Sequence, residues 1–147
     1  MLYFFDTSAL VKRYRDEVGT EIIDEIFEET TSKIVICSVS ICEVVRAIER
    51  HFRRQEINQS DFQKTVGSFY EDLRSERISI LETIRERFFR ANDLIIQHHL
   101  SANDAIILAS AIALQDAHPI FVCADIRSGL LRAAEACQLS TLNPLNS

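Results

Sequence analysis

Leu2-Tyr3-Phe4-Phe5-Asp6-Thr7-Ser8-Ala9-Leu10 opens the chain with a change of pattern that decides how the rest is read. Four apolar residues in a row suit a short buried strand, and an acid, two hydroxyls and a helical segment follow without a spacer. A strand that gives way at once to a helix is the first half of a β–α unit. The same change recurs along the chain. Lys33-Ile34-Val35-Ile36-Cys37 precedes a helix expected over Val39 to Arg54, and Ile78-Ser79-Ile80-Leu81 precedes one from Thr83 to about His98. Pro119 starts a strand over Ile120 to Ala124, which leads into a helix from about Arg127 to Cys137. Further helices are expected over Thr7 to Asp16, around Ile22–Phe27, over residues 59–76 and from Asp104 to Leu114, with a last short strand over residues 140–142. Strands alternating with helices predict an α/β domain: a mostly parallel central sheet of four to five strands, flanked by helices on both faces.

The 147 residues are read as one domain over 1–147, long enough to bury roughly 68–70% of the unfolded surface. Three Gly and two Pro provide no linker that would divide it. The longest strongly apolar run, Ala105 to Leu114, falls short of the ~20 residues of a membrane-spanning helix. No basic region precedes the N-terminal apolar run and Asp6 cuts it short, so no secretory signal is expected. Cys37, Cys42, Cys123 and Cys137 lack CxxC spacing and read as free thiols of a protein in the reducing cytoplasm. His98 and His99 are adjacent, so on a helix they diverge by about 100° and do not chelate together. The net charge of −6 gives a nucleic-acid partner no support, yet a bound divalent ion would bring the acidic positions discussed next close to neutrality.

Those positions are Asp6, Glu43, Asp104 and Asp125. Each lies at the edge of core-type sequence, where a carboxylate is costly to bury unless it is paired or metal-bound. Asp6, Asp104 and Asp125 each also suit a helix cap. Glu43 lies inside a helix, where capping does not apply and pairing with Arg46 is the alternative. Two acids that end strands, one that begins a helix and one in the first turns of another are able to meet above a parallel sheet, where such folds bind ligands. Oxygen ligands without His or Cys suit Mg²⁺ or Mn²⁺, and the chemistry such ions serve best here is phosphodiester hydrolysis. Thr7, Ser8 and Ser38 are hydroxyls placed to hold an acid, a metal-bound water or a phosphate, and serve equally as caps.

Phe5-Asp6-Thr7-Ser8-Ala9-Leu10-Val11-Lys12, then Ser38 with Glu43, then Asp104-Ala105 with Leu108-Ala109-Ser110-Ala111, then Phe121-Val122-Cys123-Ala124-Asp125 resemble the PIN-domain nucleases, above all the VapC-like toxins of toxin–antitoxin pairs. The resemblance runs from Leu2 to Pro144. It implies a PIN-like fold and a Mg²⁺- or Mn²⁺-dependent endoribonuclease that leaves a 5′-phosphate and a 3′-hydroxyl. It further implies an antitoxin partner, a homodimer, and a catalytic and metal-binding quartet of Asp6, Glu43, Asp104 and Asp125. Cys123 stands where the family more often has Ser or Thr, a change expected to alter packing only. No second acid follows within two residues of Asp125, so a fifth ligand is not evident. A housekeeping PIN nuclease acting on RNA or DNA, and a PIN-like module that binds without catalysis, remain as alternatives. Four clustered acids argue against the last.

Two features compete for the same roles. Ala91-Asn92-Asp93-Leu94 echoes Ala102-Asn103-Asp104-Ala105 eleven residues later. Asp93 follows Arg85, Arg87 and Arg90 and reads as a solvated partner of arginine, whereas Asp104 stands at the favourable end of a helix dipole. Arg46, Arg50, Arg53 and Arg54 form the one basic concentration, either a solvated helix face or a contact for RNA phosphates or a partner's acids. Antitoxin contact is expected on exposed parts of the Ile22–Phe27 and Val44–Phe52 helices, if these are not core.

Overall fold

The computed structural model describes residues 1–146. Its strands β1 (Leu2–Phe5), β2 (Lys33–Cys37), β3 (Ile78–Leu81), β4 (Ile120–Val122) and β5 (Ser140–Leu142) form one sheet in the order β3-β2-β1-β4-β5. Every pairing is parallel, with Phe4 opposite Val35 on one side and Phe121 on the other. The connecting helices are α1 (Thr7–Leu10), α2 (Thr20–Glu28), α3 (Val39–Arg53), α4 (Gln59–Arg74), α5 (Arg85–His98), α6 (Ala102–Ile112) and α7 (Leu130–Ala136). No helix among the described residues is long and apolar enough to cross a membrane.

Successive strand residues point to opposite faces, and this alternation divides the core in two. Phe4, Val35, Cys37, Phe121 and Cys123 face Leu94 of α5, Leu108 of α6 and Ala134 of α7. Phe5, Ile34, Ile36 and Val122 face Leu10 of α1, Ile23 and Phe27 of α2, Val44 and Ile48 of α3, and Phe69 of α4. Each large side chain buried this way contributes about 1.5–3 kcal/mol, so both layers are needed and the inner strands have no polar face. The apolar stripes of α2 and α3 are thus spent on the core. The aromatic and aliphatic side chains left in solvent instead include Phe88, Phe89 and Ile96 on α5.

At three of the boundaries that depart from the sequence pattern, a side chain captures a backbone group. The helix expected over residues 7–16 ends at Leu10 and tightens into a 3₁₀ turn at Val11–Arg13. The Thr20 hydroxyl donates to Lys12 O and Arg15 O, carbonyls that a longer helix would have used itself. β4 stops at Val122 because the Ala124 N–H turns to Ser8 Oγ at 3.0 Å. α7 starts at Leu130 because the Asp125 carboxylate takes the N–H groups of Arg127 and Ser128 in a turn. The break expected between a helix ending near His98 and one starting at Asp104 begins at His99 (φ 57°), and Ser101 caps α6.

Gly19, which precedes α2, has φ 95°, and a Cβ there would lie 2.9 Å from Pro144 O. That position accepts glycine for both backbone and space.

Candidate active site

The centre of the sheet decides where a site can form. From β1 the chain crosses to β2 on one side, while β4 occupies the other, and the resulting divergence opens a crevice at the carboxyl ends of β1 and β4. Asp6 stands there, its N–H bonded to Val122 O at 2.9 Å. Asp125 lies just beyond β4, and Asp104 sits in the first turn of α6. Glu43 projects from α3, beyond its first turn.

Asp6 is buried and caps α1, with the Ser8 N–H at 3.3 Å and the Ser8 hydroxyl at 2.6 Å, both on Oδ2. Cys123 Sγ reaches the same oxygen at 3.5 Å. Oδ1 is left without a side-chain donor among the described residues. Burial pushes the Asp6 carboxyl up to about 6; the Ser8 hydroxyl opposes this, and the Asp104 charge adds to it. Asp104 is likewise raised, first by burial and then by Asp125 and Glu43, with the hydroxyls of Ser128 and Ser101 pulling the other way. Asp125 is held through Oδ1 alone, by Arg127 N–H at 2.9 Å and Ser128 N–H at 3.2 Å. Glu43 accepts the Thr7 hydroxyl on Oε1 at 2.8 Å and the Asn103 amide on Oε2 at 3.2 Å.

The four acids therefore share one electrostatic neighbourhood and are held by neutral donors. Among the described residues none of them forms a salt bridge. Glu43 has no partner in Arg46, contrary to the pairing alternative. No group of three His, Cys, Asp or Glu stands close enough together to cage one ion among these residues. The donor chemistry nevertheless fits a hard divalent cation: carboxylate and hydroxyl oxygens, two carboxyls raised by burial and repulsion, and no lysine or arginine paired with them. The hollow of about 410 Å³ lined by Arg13, Tyr14, Lys64 and Asp72 includes none of the four acids.

Other candidates land differently. Thr7 and Ser8 each hold an acid, as their positions suggested. Ser38 does not; its hydroxyl bonds Thr83 Oγ1 at 2.9 Å and accepts the Thr83 N–H, tying the end of β2 to the chain leaving β3. Asp93 is exposed on α5 as expected, but no arginine pairs with it among the described residues. Arg46, Arg50, Arg53 and Arg54 are exposed along and just beyond α3, and Arg53 pairs with Glu49 at 3.0 Å. The cysteines are all free. Cys123 does more than fill space. Burial, then the Asp6 charge, push its thiol pKa up, so it remains a protonated donor to Asp6. Asn103 and Ser128 had no signal of their own; only their nearness to Asp104 and Asp125 in sequence pointed to them.

Against this geometry, the model of the PIN domain matches residues 3–134. The chain belongs to the PIN-domain family. No curated protein sequence matches it. Among solved structures, the PIN domain described here is similar to a chain of a toxin–antitoxin complex from Klebsiella pneumoniae, with a TM-score of 0.62, 15% identity, and 97% of each chain covered. It is similar to a chain of VapBC2 from Rickettsia felis bound to a DNA fragment from their promoter, with a TM-score of 0.62 and 17% identity over 97% of this chain and 98% of that one. FitAcB from Neisseria gonorrhoeae gives a TM-score of 0.58 and 16% identity over the whole of both chains. At these identities the likeness carries the fold. The five-stranded parallel sheet and its helices are the PIN-like architecture, in a family whose members are nucleases.

Proposed function

We propose that this PIN domain is a Mg²⁺- or Mn²⁺-dependent endoribonuclease and the toxin of a toxin–antitoxin pair. The observation that carries the nuclease reading is that the charge of Asp104 acts on Asp6, and those of Asp125 and Glu43 act on Asp104, with no cationic side chain paired to any of the four among the described residues. A binding module has no need for four acids gathered without a cationic partner.

Asp6 through Oδ1, Asp125 through Oδ2, Asp104 and Glu43 would hold the cation. When bound, it supplies Lewis-acid activation of water and of the phosphodiester. The Ser8 hydroxyl and the Cys123 thiol fix the rotamer of Asp6, and the Thr7 hydroxyl holds one oxygen of Glu43. Thus the first turn after β1 orients two of the four acids. Arg46, Arg50, Arg53 and Arg54 give α3 an exposed basic edge for backbone phosphates or for an acidic partner segment.

The toxin role is supported by the toxin–antitoxin assemblies named for the similar structures. In this reading the chain pairs with an antitoxin, forms a homodimer and acts in the cytoplasm, where its free thiols stay reduced.

The test is cleavage of single-stranded and hairpin RNA by purified protein. Cutting is expected with Mg²⁺ or Mn²⁺ and not with EDTA, and activity that survives exhaustive chelation overturns the mechanism. Asp6→Asn, Glu43→Gln, Asp104→Asn and Asp125→Asn should each lose most of the rate while Asp93→Asn keeps it. Expression of the wild type, but not of Asp6→Asn, should slow growth. Equal growth of the two would remove the toxin assignment.

A further inference from the structure

Glu43 differs from the other acids in how it is held. Its helix, α3, contributes no donor to it. Thr7 of α1 occupies one carboxylate oxygen and Asn103 of α6 the other, at 2.8 Å and 3.2 Å. The terminal torsion of glutamate is broad, so a single donor leaves the carboxylate plane free to turn, whereas two donors on two oxygens fix it. Asn103 also stands beside Asp104 in the first turn of α6, so one helical turn presents one acid and orients another. An amide does this without the positive charge of an arginine, which would compete with a cation for the same carboxylate.

We infer that Asn103 is a positioning residue, which acts through Glu43 and does not itself touch the reacting atoms. The inference rests on the nuclease reading of the acidic site. It separates Asn103 from an ordinary exposed asparagine, and the chain contains its own control. Asn92 precedes Asp93 in the echo of the same motif, and is exposed on α5 without a hydrogen bond from its side chain among the described residues.

The experiment compares wild type, Asn103→Ala, Asn92→Ala, Glu43→Gln and the Asn103→Ala/Glu43→Gln double variant. Alanine is well tolerated in an exposed first turn, so folding is preserved. Two quantities are read: kcat and KM for RNA cleavage, and the Mn²⁺ concentration at the midpoint of the rise in melting temperature. Loss of an orienting partner typically costs about 10–100-fold in metal affinity or activity. Asn103→Ala should therefore lower kcat by about tenfold or more with KM little changed, and should move the Mn²⁺ midpoint upward, while Asn92→Ala matches wild type. In the Glu43→Gln background the Asn103→Ala change should no longer move the midpoint, because contacting residues fail to add. A wild-type-like Asn103→Ala, or an equal shift with and without the Glu43 carboxylate, overturns the inference and leaves the nuclease reading intact. A wild type that neither cuts RNA nor responds to Mn²⁺ removes both.

Discussion

The Ser8 hydroxyl donates to Asp6 Oδ2 at 2.6 Å, a short bond to a buried carboxylate. The same oxygen of Ser8 accepts the Ala124 N–H, so one side chain orients the acid and ends β4. Ser8→Ala should remove both. A hydrogen bond to a charged group is worth about 1.5–3 kcal/mol, and a destabilisation of that order is expected at neutral pH. Chemical denaturation checks it. Ser8→Ala with unchanged stability would mean the bond contributes nothing to the fold.

Asp6 gives the site a pH signature. Its carboxyl is raised to about 6 in the fold by burial, against an ordinary value of 3.8. The folded state therefore holds a proton that the unfolded chain has already released between these values, and stability falls as pH rises through that window. In EDTA the wild type should lose on the order of 3 kcal/mol from this group between pH 4 and pH 7. Asp6→Asn should lack that component, so its melting temperature relative to wild type should rise with pH. A pH-independent difference would show that Asp6 does not titrate as its burial requires.

Asp104 is raised by burial and by the charges of Asp125 and Glu43. Asp104→Asn should therefore melt above wild type in EDTA and gain less from Mg²⁺, since a cation that binds only the folded state stabilises it by mass action. Asp93→Asn, exposed on α5, should show neither change. Thermal melts with and without Mg²⁺ decide this, and identical metal responses in wild type and Asp104→Asn would place Asp104 outside the ion site.

Far from the acids, Arg77 supports the opposite end of the fold. Its guanidinium donates to the carbonyls of Ile26, Phe27, Glu29 and Ser32 and lies over the Phe27 ring. Ile26 and Phe27 carry two of the last carbonyls of α2, which the helix itself leaves unpaired. Arg77→Lys keeps the charge but not the planar fork, and should cost roughly 2–3 kcal/mol in urea denaturation. RNA cleavage per folded molecule should be unaffected. A lysine variant as stable as wild type would show that charge alone suffices.

Much of this was legible in the chain itself. Phe4-Phe5, Ile34-Val35-Ile36 and Phe121-Val122 announced strands buried on both faces, and Asp6 and Asp125 stood out because they end such runs. Asp104 was separable from Asp93 because Leu100-Ser101 separates two periodic segments. What the pattern concealed were contacts made by short polar side chains across the sequence. Thr20 ends the first helical segment from beyond Gly19, Ser38 serves Thr83 and not an acid, and Asn103 reaches Glu43 from α6. Helical and strand periods report which face is apolar. They carry no information about which hydroxyl or amide will be opposite which carboxylate.

The order β3-β2-β1-β4-β5 also sets when the acidic residues can be gathered. β1 is synthesised first, yet its partner on the Asp125 side is β4, opposite it at Val122. A nascent chain emerging from the ribosome thus carries Asp6 and Glu43 long before Asp104 and Asp125 exist, and domains gather such distant pairings late. A product that stops before α6 lacks both Asp104 and Asp125. Only a chain that extends past β4 carries all four acids, so any chemistry they perform waits for the strand pairing that is longest in sequence on that side of β1.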